Sequence, residues 1–265
     1  MLRGWQSLQR VSMQADPTPP LLDSVLSRIE AVDGWLTTGQ AALLFEAATR
    51  MPSDGRIVEI GSFRGRSTIV LASAAPQGAE IVAIDPHAGN DRGPNEIEGF
   101  VAEAQSDNEI FLANLTAAGV ASRVRHLRMF SDAALPVLQG PVDVLYVDGA
   151  HRFGPARADI RDWGRRVVPG GTMLVHDSFS SVGVTVAILV ELMFSSRFRY
   201  VRRSRSLAEF SADMPAGWLP RVGNALRIAG ALPWWAKNLA VKAVIALRLG
   251  PVARIVLRRD LEWPY

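Results

Sequence analysis

The chain has 265 residues, of which 48% are hydrophobic and 21% are charged, and its formal net charge is +3. This composition excludes a disordered polar chain and a fibrous protein, and the length suits one large domain or a domain with an appendage. The sequence contains no cysteine. Disulfide scaffolds, cysteine nucleophiles and thiolate metal sites are therefore excluded, and any metal ion must be held by oxygen or imidazole ligands.

The charge is unevenly distributed along the chain. Residues 1–196 contain 16 arginines and 22 acidic residues, a net of −6, whereas residues 197–265 contain 13 basic and 4 acidic residues, a net of +9. The first residues lack the apolar core of a signal peptide, and no run of about 18 residues is free of charge. We therefore expect a cytoplasmic protein, and association with a membrane through the basic tail stays open.

The predicted elements alternate between helices and short strands. Apolar residues at helical spacing predict the helices, and short runs rich in β-branched residues predict the strands. The predicted strands are Arg56–Ile60, Glu80–Ile84, Val124–Leu127, Val142–Val147 and residues 172–175. The predicted helices cover residues 21–31, 38–50, 67–74, 96–118, 132–138, 155–167 and 184–194.

This alternation predicts an α/β fold with a doubly wound, mostly parallel sheet that carries helices on both faces. Residues 198–201 and 207–210 flank a short turn and predict a hairpin, which adds an antiparallel terminal strand. From Trp218 onward, prolines separate three helical pieces rich in Arg, Trp, Leu and Val. We therefore expect an N-terminal leader and helix (1–34), a sheet domain (35–214) and a basic helical C-terminal extension (215–265).

The turn after the first strand carries closely spaced glycines. It reads Glu59-Ile-Gly61-Ser-Phe-Arg-Gly65-Arg-Ser67-Thr68. Gly61 permits a tight turn, and Gly65 lets a ligand approach the backbone where a side chain would block it. Ser67 or Thr68 can cap the next helix or reach the ligand. The turn lacks the middle glycine of the dinucleotide fingerprint and is no Walker A loop. A glycine turn that serves only the fold is the alternative.

Further polar residues follow the other strands at their carboxyl ends, the edge at which open α/β sheets bind ligands. Asp85 ends the second strand, where an acid can accept hydrogen bonds from ribose hydroxyls. The fourth strand is followed by Asp148-Gly-Ala-His151, and the fifth by His176-Asp177-Ser178. Each of these residues can instead form a turn, cap a helix or pack. Together they predict a cluster of carboxylates and imidazoles.

The motifs resemble those of a known enzyme family. The pattern E-x-G-x-x-x-G resembles motif I of the class I S-adenosylmethionine (SAM) methyltransferases. The run V-D-V-L-Y-V-D-G-A-H, then D-I-R-D-W, then V-P-G-G-T-M-L-V-H-D-S is similar to the family-24 group of that class. This group includes macrolide-sugar and mannoside O-methyltransferases, and it is more distantly similar to metal-dependent catechol and caffeoyl-CoA O-methyltransferases. The resemblance covers roughly residues 35–212 and implies a Rossmann-like fold.

The resemblance also implies roles for individual residues. His151 would be the general base, and a divalent ion, Mg²⁺, would be bound by Asp148, Asp177 and Ser178. Related enzymes often carry Asp or Asn in place of Ser178, and a neutral hydroxyl is a weak ligand, so the need for a metal stays open. The residues expected to contact SAM are Glu59, Gly61, Gly65, Ser67, Asp85, Ser131, Asp132 and Asp148, with Ser131 and Asp132 in the loop over the adenine ring.

The expected function is therefore SAM-dependent O-methyl transfer to a hydroxyl of a sugar or polar secondary metabolite, assisted by Mg²⁺. A non-catalytic protein of the same fold, acting as a membrane or partner adaptor through its tail, is the alternative. The tail itself permits packing or dimerisation, contact with a membrane or lipid-linked substrate, or nucleic-acid binding. We expect a saccharide or other small-molecule acceptor, a homo-oligomer and no nucleic-acid partner.

Overall fold

The computed structural model describes residues 21–88 and 101–246, with side chains described from residue 106 onward in the helix that begins at Val101 and up to residue 244 in the last helix. The predicted leader, residues 96–100 of the predicted fourth helix and the third helical piece of the tail lie outside the described residues. No helix in the described ranges is long and apolar enough to cross a membrane.

One seven-stranded sheet forms the centre of the fold, with the strand order β3-β2-β1-β4-β5-β7-β6. The first five strands are parallel, and β7 is antiparallel to both of its neighbours. The strands are β1 (Arg56–Ile60), β2 (Glu80–Ile84), β3 (Val124–Leu127), β4 (Val142–Val147), β5 (Val167–Val175), β6 (Arg199–Ser204) and β7 (Leu207–Ser211). The doubly wound sheet with an antiparallel terminal strand is thus confirmed.

Helices cover both faces of this sheet. Those before β4 are α1 (Leu22–Ile29), α2 (Thr38–Arg50), α3 (Arg66–Ala74), α4 (Val101–Ala117) and α5 (Ser131–Val137). Those after β4 are α6 (Phe153–Ala158), α7 (Val182–Glu191), α8 (Trp218–Ala229) and α9 (Leu232–Ala246).

The central strands are mostly apolar because both of their faces are buried. Along β1, Ile57 packs into the core that α1, α2 and α3 form with one face of the sheet, whereas Val58 packs into the core on the other face. Successive side chains of a strand point to opposite faces, so a strand between two helical layers must be apolar at every position. The exception in β1 is Glu59, which is fully buried.

The predicted helix over residues 155–167 is wrong at its C-terminal end. Helix α6 ends at Ala158, a π-helical turn spans Asp159–Trp163, and Val167 begins β5. Val167 pairs with Val142 before an irregularity in the β4–β5 register. Trp163 is fully buried. The apolar residues keep their helical spacing up to Val167, although this residue already pairs with β4 as part of β5. Periodicity alone could not show where the helix ends and the strand begins.

The C-terminal extension packs on the sheet domain through buried asparagines and aromatic residues. Asn224 of α8 accepts a hydrogen bond from the amide of Tyr200 at 2.7 Å and donates to the carbonyls of Leu192 and Met193 at 2.9 and 3.1 Å. Trp234 and Trp235 of α9 pack against the core on the Val58 face of the sheet. The extension is therefore attached along the β6 edge and the end of α7.

Candidate active site

The glycine turn after β1 lies directly against the end of β4. Gly61 has a φ of +86°, and a Cβ atom at this position would lie 2.2 Å from the carbonyl oxygen of Asp148. Both the backbone conformation and the space therefore require glycine. Gly65, with a φ of +88°, is the N-cap residue of α3 at the far end of the turn. This contact brings the predicted cofactor turn and the predicted acidic cluster into one site.

Glu59 supports the turn from behind. Its buried carboxyl group accepts hydrogen bonds from the hydroxyls of Ser67 and Thr68 in the first turn of α3. Burial raises its pKa from the ordinary value of 4.5 to about 8, although the two hydroxyl hydrogen bonds oppose the shift. Glu59 and Ser67 therefore bond to each other and fix the start of α3, rather than presenting their polar atoms at the surface of the turn.

Asp85 tethers the glycine turn to the end of β2. One carboxylate oxygen accepts hydrogen bonds from the backbone amides of Ser62 and Phe63 at 2.9 and 2.8 Å. The other oxygen accepts a hydrogen bond from the amide of His87 at 2.7 Å. A carboxylate oxygen can accept more than one hydrogen bond. Asp85 can therefore hold the turn and still accept a further donor at the sheet edge.

The loop after β3 is fixed by a buried acid that the sequence analysis did not assign. The Ser131 hydroxyl donates to the carboxylate of Asp159, whose pKa burial raises to about 6. Asp132 is exposed, and its side chain accepts the amide of Ala133 at 2.7 Å. Asp159 opens the D-I-R-D-W run, and the π-helical turn that begins there places its side chain against this loop.

Asp148, His151 and Asp177 come together at the carboxyl edge of β4 and β5. They can each offer one ligand atom such that all three atoms lie within 4.8 Å of one another. Nε2 of His151 lies 2.7 Å from Oδ2 of Asp177. Two carboxylates and an imidazole are a donor set that fits a divalent cation, with water and substrate oxygens completing the shell.

A second layer of polar side chains orients the two carboxylates. The Tyr146 hydroxyl donates to Oδ2 of Asp148 at 2.7 Å, and Nδ1 of buried His176 lies 3.2 Å from Oδ1 of Asp148 and 3.3 Å from Oδ2 of Asp177. Nε2 of His176 lies 3.2 Å from the side-chain nitrogen of Gln40. These residues were not predicted as site residues. The alternation of β4 was the available signal, because it places Tyr146 and Asp148 on one side of the strand.

The hydrogen bonds to Asp177 lower the pKa of its carboxyl group by more than burial raises it. Burial alone would raise the pKa of this carboxyl group, but the hydrogen bonds from His151 and His176 hold the pKa well below the ordinary value of 3.8. The Ser180 hydroxyl donates to its other oxygen at 2.8 Å. Asp177 is therefore an ionised acceptor at neutral pH, which suits either a cation or an imidazolium partner.

The hydroxyl of Ser178 points away from this cluster. The side chain is fully buried, and its hydroxyl donates to the carbonyl of Val175 at 2.8 Å. The structure therefore does not bring Ser178 together with the other predicted metal ligands.

The C-terminal extension holds the loop that carries Asp177. Asp177 and Phe179 have φ values of +53° and +59°, a conformation that costs free energy for residues with side chains. From α9, Asn238 donates to the carbonyl of Phe179 at 2.9 Å, and Lys242 donates to the carbonyl of Ser180 at 2.8 Å. The extension thus stabilises a strained loop of the site.

Comparison with known proteins agrees with this geometry. Residues 58–178 match the methyltransferase-24 family model, which is described as a methyltransferase domain. This stretch, slightly less than half of the chain, is similar to that family. The glycine turn, the acidic cluster and the D-I-R-D-W run all lie within the matched residues.

Solved structures of other proteins share the fold. Cofactor-bound Rv0187 from MTB aligns with a TM-score of 0.53 and 20% identity, over 72% of this chain and 88% of that chain. The O-methyltransferase NovP aligns with a TM-score of 0.55 and 16% identity, over 68% and 83%. At these identities the likeness shows the fold.

A curated relative matches a similar length of sequence. The uncharacterized protein y4gI of Sinorhizobium fredii (strain NBRC 101917 / NGR234) is 27% identical over 147 residues, which is 54% of this chain. The match spans only 15% of that much longer protein. Its activity therefore gives no direct assignment for this chain.

The raised pKa of Glu59 predicts a pH-dependent stability. Because the folded state keeps this carboxyl group protonated up to about pH 8, whereas the unfolded chain ionises it near pH 4.5, its contribution is lost as the pH rises through this window. We expect Glu59→Gln to flatten the fall in the free energy of unfolding between pH 5 and pH 8, by roughly 1–3 kcal/mol. Urea unfolding at both pH values measures this. Exposed Glu30→Gln is the control, and an unchanged slope in Glu59→Gln would contradict the assignment.

The bond from Asn238 predicts protection of the Asp177 loop. Asn238→Ala leaves the buried Phe179 carbonyl without its donor, so we expect amide exchange at Ser178, Ser180 and Ser181 to accelerate about tenfold. Native-state hydrogen exchange measures these amides. Lys237→Ala, at an exposed position of the same helix, should leave them unchanged. Equal exchange in both variants would show that α9 does not hold the loop.

Proposed function

We propose that this protein is a SAM-dependent O-methyltransferase that methylates a hydroxyl group of a sugar or another polar metabolite. One observation carries the proposal: the glycine turn meets the backbone of Asp148, whose side chain belongs to the cluster with His151 and Asp177. A cofactor held on the turn would therefore lie beside groups able to bind and deprotonate a hydroxyl. Methyl transfer needs that adjacency, because donor and acceptor must be aligned in line.

The binding site for SAM would follow the carboxyl edge of β1, β2 and β3. Bound SAM supplies an electrophilic methyl group on a sulfonium. The turn from Gly61 to Gly65 would lie beside the methionine portion, Asp85 would accept the ribose hydroxyls, and the loop at Ser131 and Asp132 would cover the adenine. Asp85 fits this role because its two oxygens, which accept loop amides at 2.7 to 2.9 Å, are held rigidly in place.

The same edge would hold a divalent cation, Mg²⁺, between Asp148 and Asp177. A bound divalent cation lowers the pKa of a coordinated hydroxyl group. Tyr146 and His176 donate hydrogen bonds to the two carboxylates, which fixes the direction of their remaining lone pairs. With His151 left free to act as the base, the protein donors to the cation are carboxylate oxygens, which suit Mg²⁺. Ser178 has no part in this arrangement, because its hydroxyl bonds to the backbone.

His151 would remove the proton of the acceptor hydroxyl. Its contact with the low-pKa carboxylate of Asp177 at 2.7 Å orients the ring and stabilises the imidazolium that forms. An alcohol needs such a base, since its own pKa is near that of water at about 15.7, whereas a neutral amine is already nucleophilic. The residues therefore favour a hydroxyl acceptor over an amine.

Substitution of the cluster tests the proposal. His151→Gln, Asp148→Asn and Asp177→Asn should each lower methyl transfer by about 10²- to 10⁴-fold, because the base or the charge that orients it is lost. SAM affinity should change much less, since the glycine turn is intact. Labelled SAM with a panel of hydroxylated sugars and metabolites measures transfer, and calorimetry measures SAM binding.

Controls separate the proposed parts. Asp213→Asn removes a surface acid paired with Arg199 and should leave transfer unchanged. Removing divalent ions with EDTA and restoring Mg²⁺ should abolish and recover transfer in the wild type. Near wild-type turnover of His151→Gln would disprove the assignment of the base, and full activity in EDTA would disprove the role of the metal.

A further inference from the structure

Helix α8 presents apolar side chains to solvent on one face. Trp218, Leu219, Val222 and Leu226 are 69%, 65%, 37% and 69% exposed. At 100° per residue these four positions fall within an arc of about 100° of the helix surface. We call these residues the α8 stripe. The buried residues of the helix, Asn224, Ala225 and Ile228, lie on a different face.

Basic residues flank the α8 stripe on both sides. Arg221 and Arg227 are exposed and fall on opposite sides of the arc. Among the described residues from 214 onward, the basic residues are Arg221, Arg227, Lys237 and Lys242, and none is aspartate or glutamate. Helix α8 therefore combines an exposed apolar stripe with exposed arginines and carries no acidic residue of its own.

We propose that the α8 stripe docks this protein on the surface of an anionic lipid bilayer. An amphipathic helix with an aromatic and aliphatic face and flanking arginines inserts that face to headgroup depth while its cations meet the lipid phosphates. Trp218 suits this depth because indole partitions to the membrane interface. The proposal is independent of the methyl-transfer reaction.

The charge distribution argues against a second copy as the occupant. A two-fold interface through α8 would place the same surface on both partners, so that arginines would face arginines across a segment without carboxylates. Four side chains on one helix also fall short of the area that a stable dimer buries, on the order of 1,200 Å² or more. Anionic lipid supplies the missing negative charge.

The structure places the membrane face on α8 rather than on the tryptophans of α9. Trp234 and Trp235 are partly buried against the core, and the guanidinium of Arg203 lies 4.3 Å from the centre of the Trp234 ring. Asn238 and Lys242 of α9 bond to the Phe179 and Ser180 carbonyls. Helix α9 thus faces the domain, while α8 leaves its stripe open.

Vesicle co-sedimentation of the full chain tests the proposal. We expect binding to phosphatidylcholine vesicles that contain one-third phosphatidylglycerol, and at least tenfold weaker binding to pure phosphatidylcholine. Leu219→Gln/Leu226→Gln should reduce binding at least tenfold, because both exposed leucines of the inserted face are lost. Arg221→Gln/Arg227→Gln should reduce it about 25-fold, at about fivefold per cation. Val137→Gln, at an exposed apolar position on α5, is the matched control and should bind like the wild type.

Three outcomes would overturn the proposal. Absence of binding to anionic vesicles by the wild type is the first. Unchanged binding of Leu219→Gln/Leu226→Gln would show a purely electrostatic association in which the α8 stripe takes no part. A dimer in analytical ultracentrifugation that this double variant converts to a monomer, without vesicle binding by the wild type, would assign the stripe to a second copy. Because every variant changes an exposed side chain, circular dichroism should confirm unaltered folding.

Discussion

The contact between Gly61 and the carbonyl of Asp148 is the constraint on which the site depends. Any side chain at position 61 would collide with that carbonyl at 2.2 Å, so the turn after β1 and the end of β4 can meet only through glycine. Parallel pairing of β1 with β4 sets the two ends side by side. The turn that would hold the cofactor and the acid that would hold the acceptor are thereby fixed relative to each other.

Around this contact, two buried carboxyl groups have pKa values shifted in opposite directions. Glu59 is buried behind the turn with only hydroxyl partners, and its pKa is raised to about 8. The neutral side chain holds the start of α3 through hydrogen bonds with Ser67 and Thr68. Asp177 is also enclosed, but it faces His151 and His176, and its pKa is lowered. Burial favours the neutral form and cationic partners favour the charged form. The same type of side chain thus serves structure in one place and a charged site in the other.

Much of the sheet and the cluster could be predicted from the sequence. Short β-branched runs located β1 to β4 at their observed bounds, and the rule that parallel strands end at one edge predicted that Asp148, His151 and Asp177 meet. The residues that hold them could not be predicted, because their partners are distant in the chain. Gln40 reaches His176, Asn238 reaches Phe179, and Asp159 reaches Ser131 only after the layers have packed. The role of α9 in stabilising the Asp177 loop was missed for the same reason.

The turn at Gly61 and the cluster at Asp148 would together form one site that binds SAM. Calorimetric titration of the folded wild-type protein with SAM tests it most directly, with Gly61→Ala as the matched variant that introduces a clash with the Asp148 carbonyl. We expect saturable one-to-one binding by the wild type and at least a tenfold loss of affinity in the variant. A folded wild-type protein that binds no SAM would contradict it.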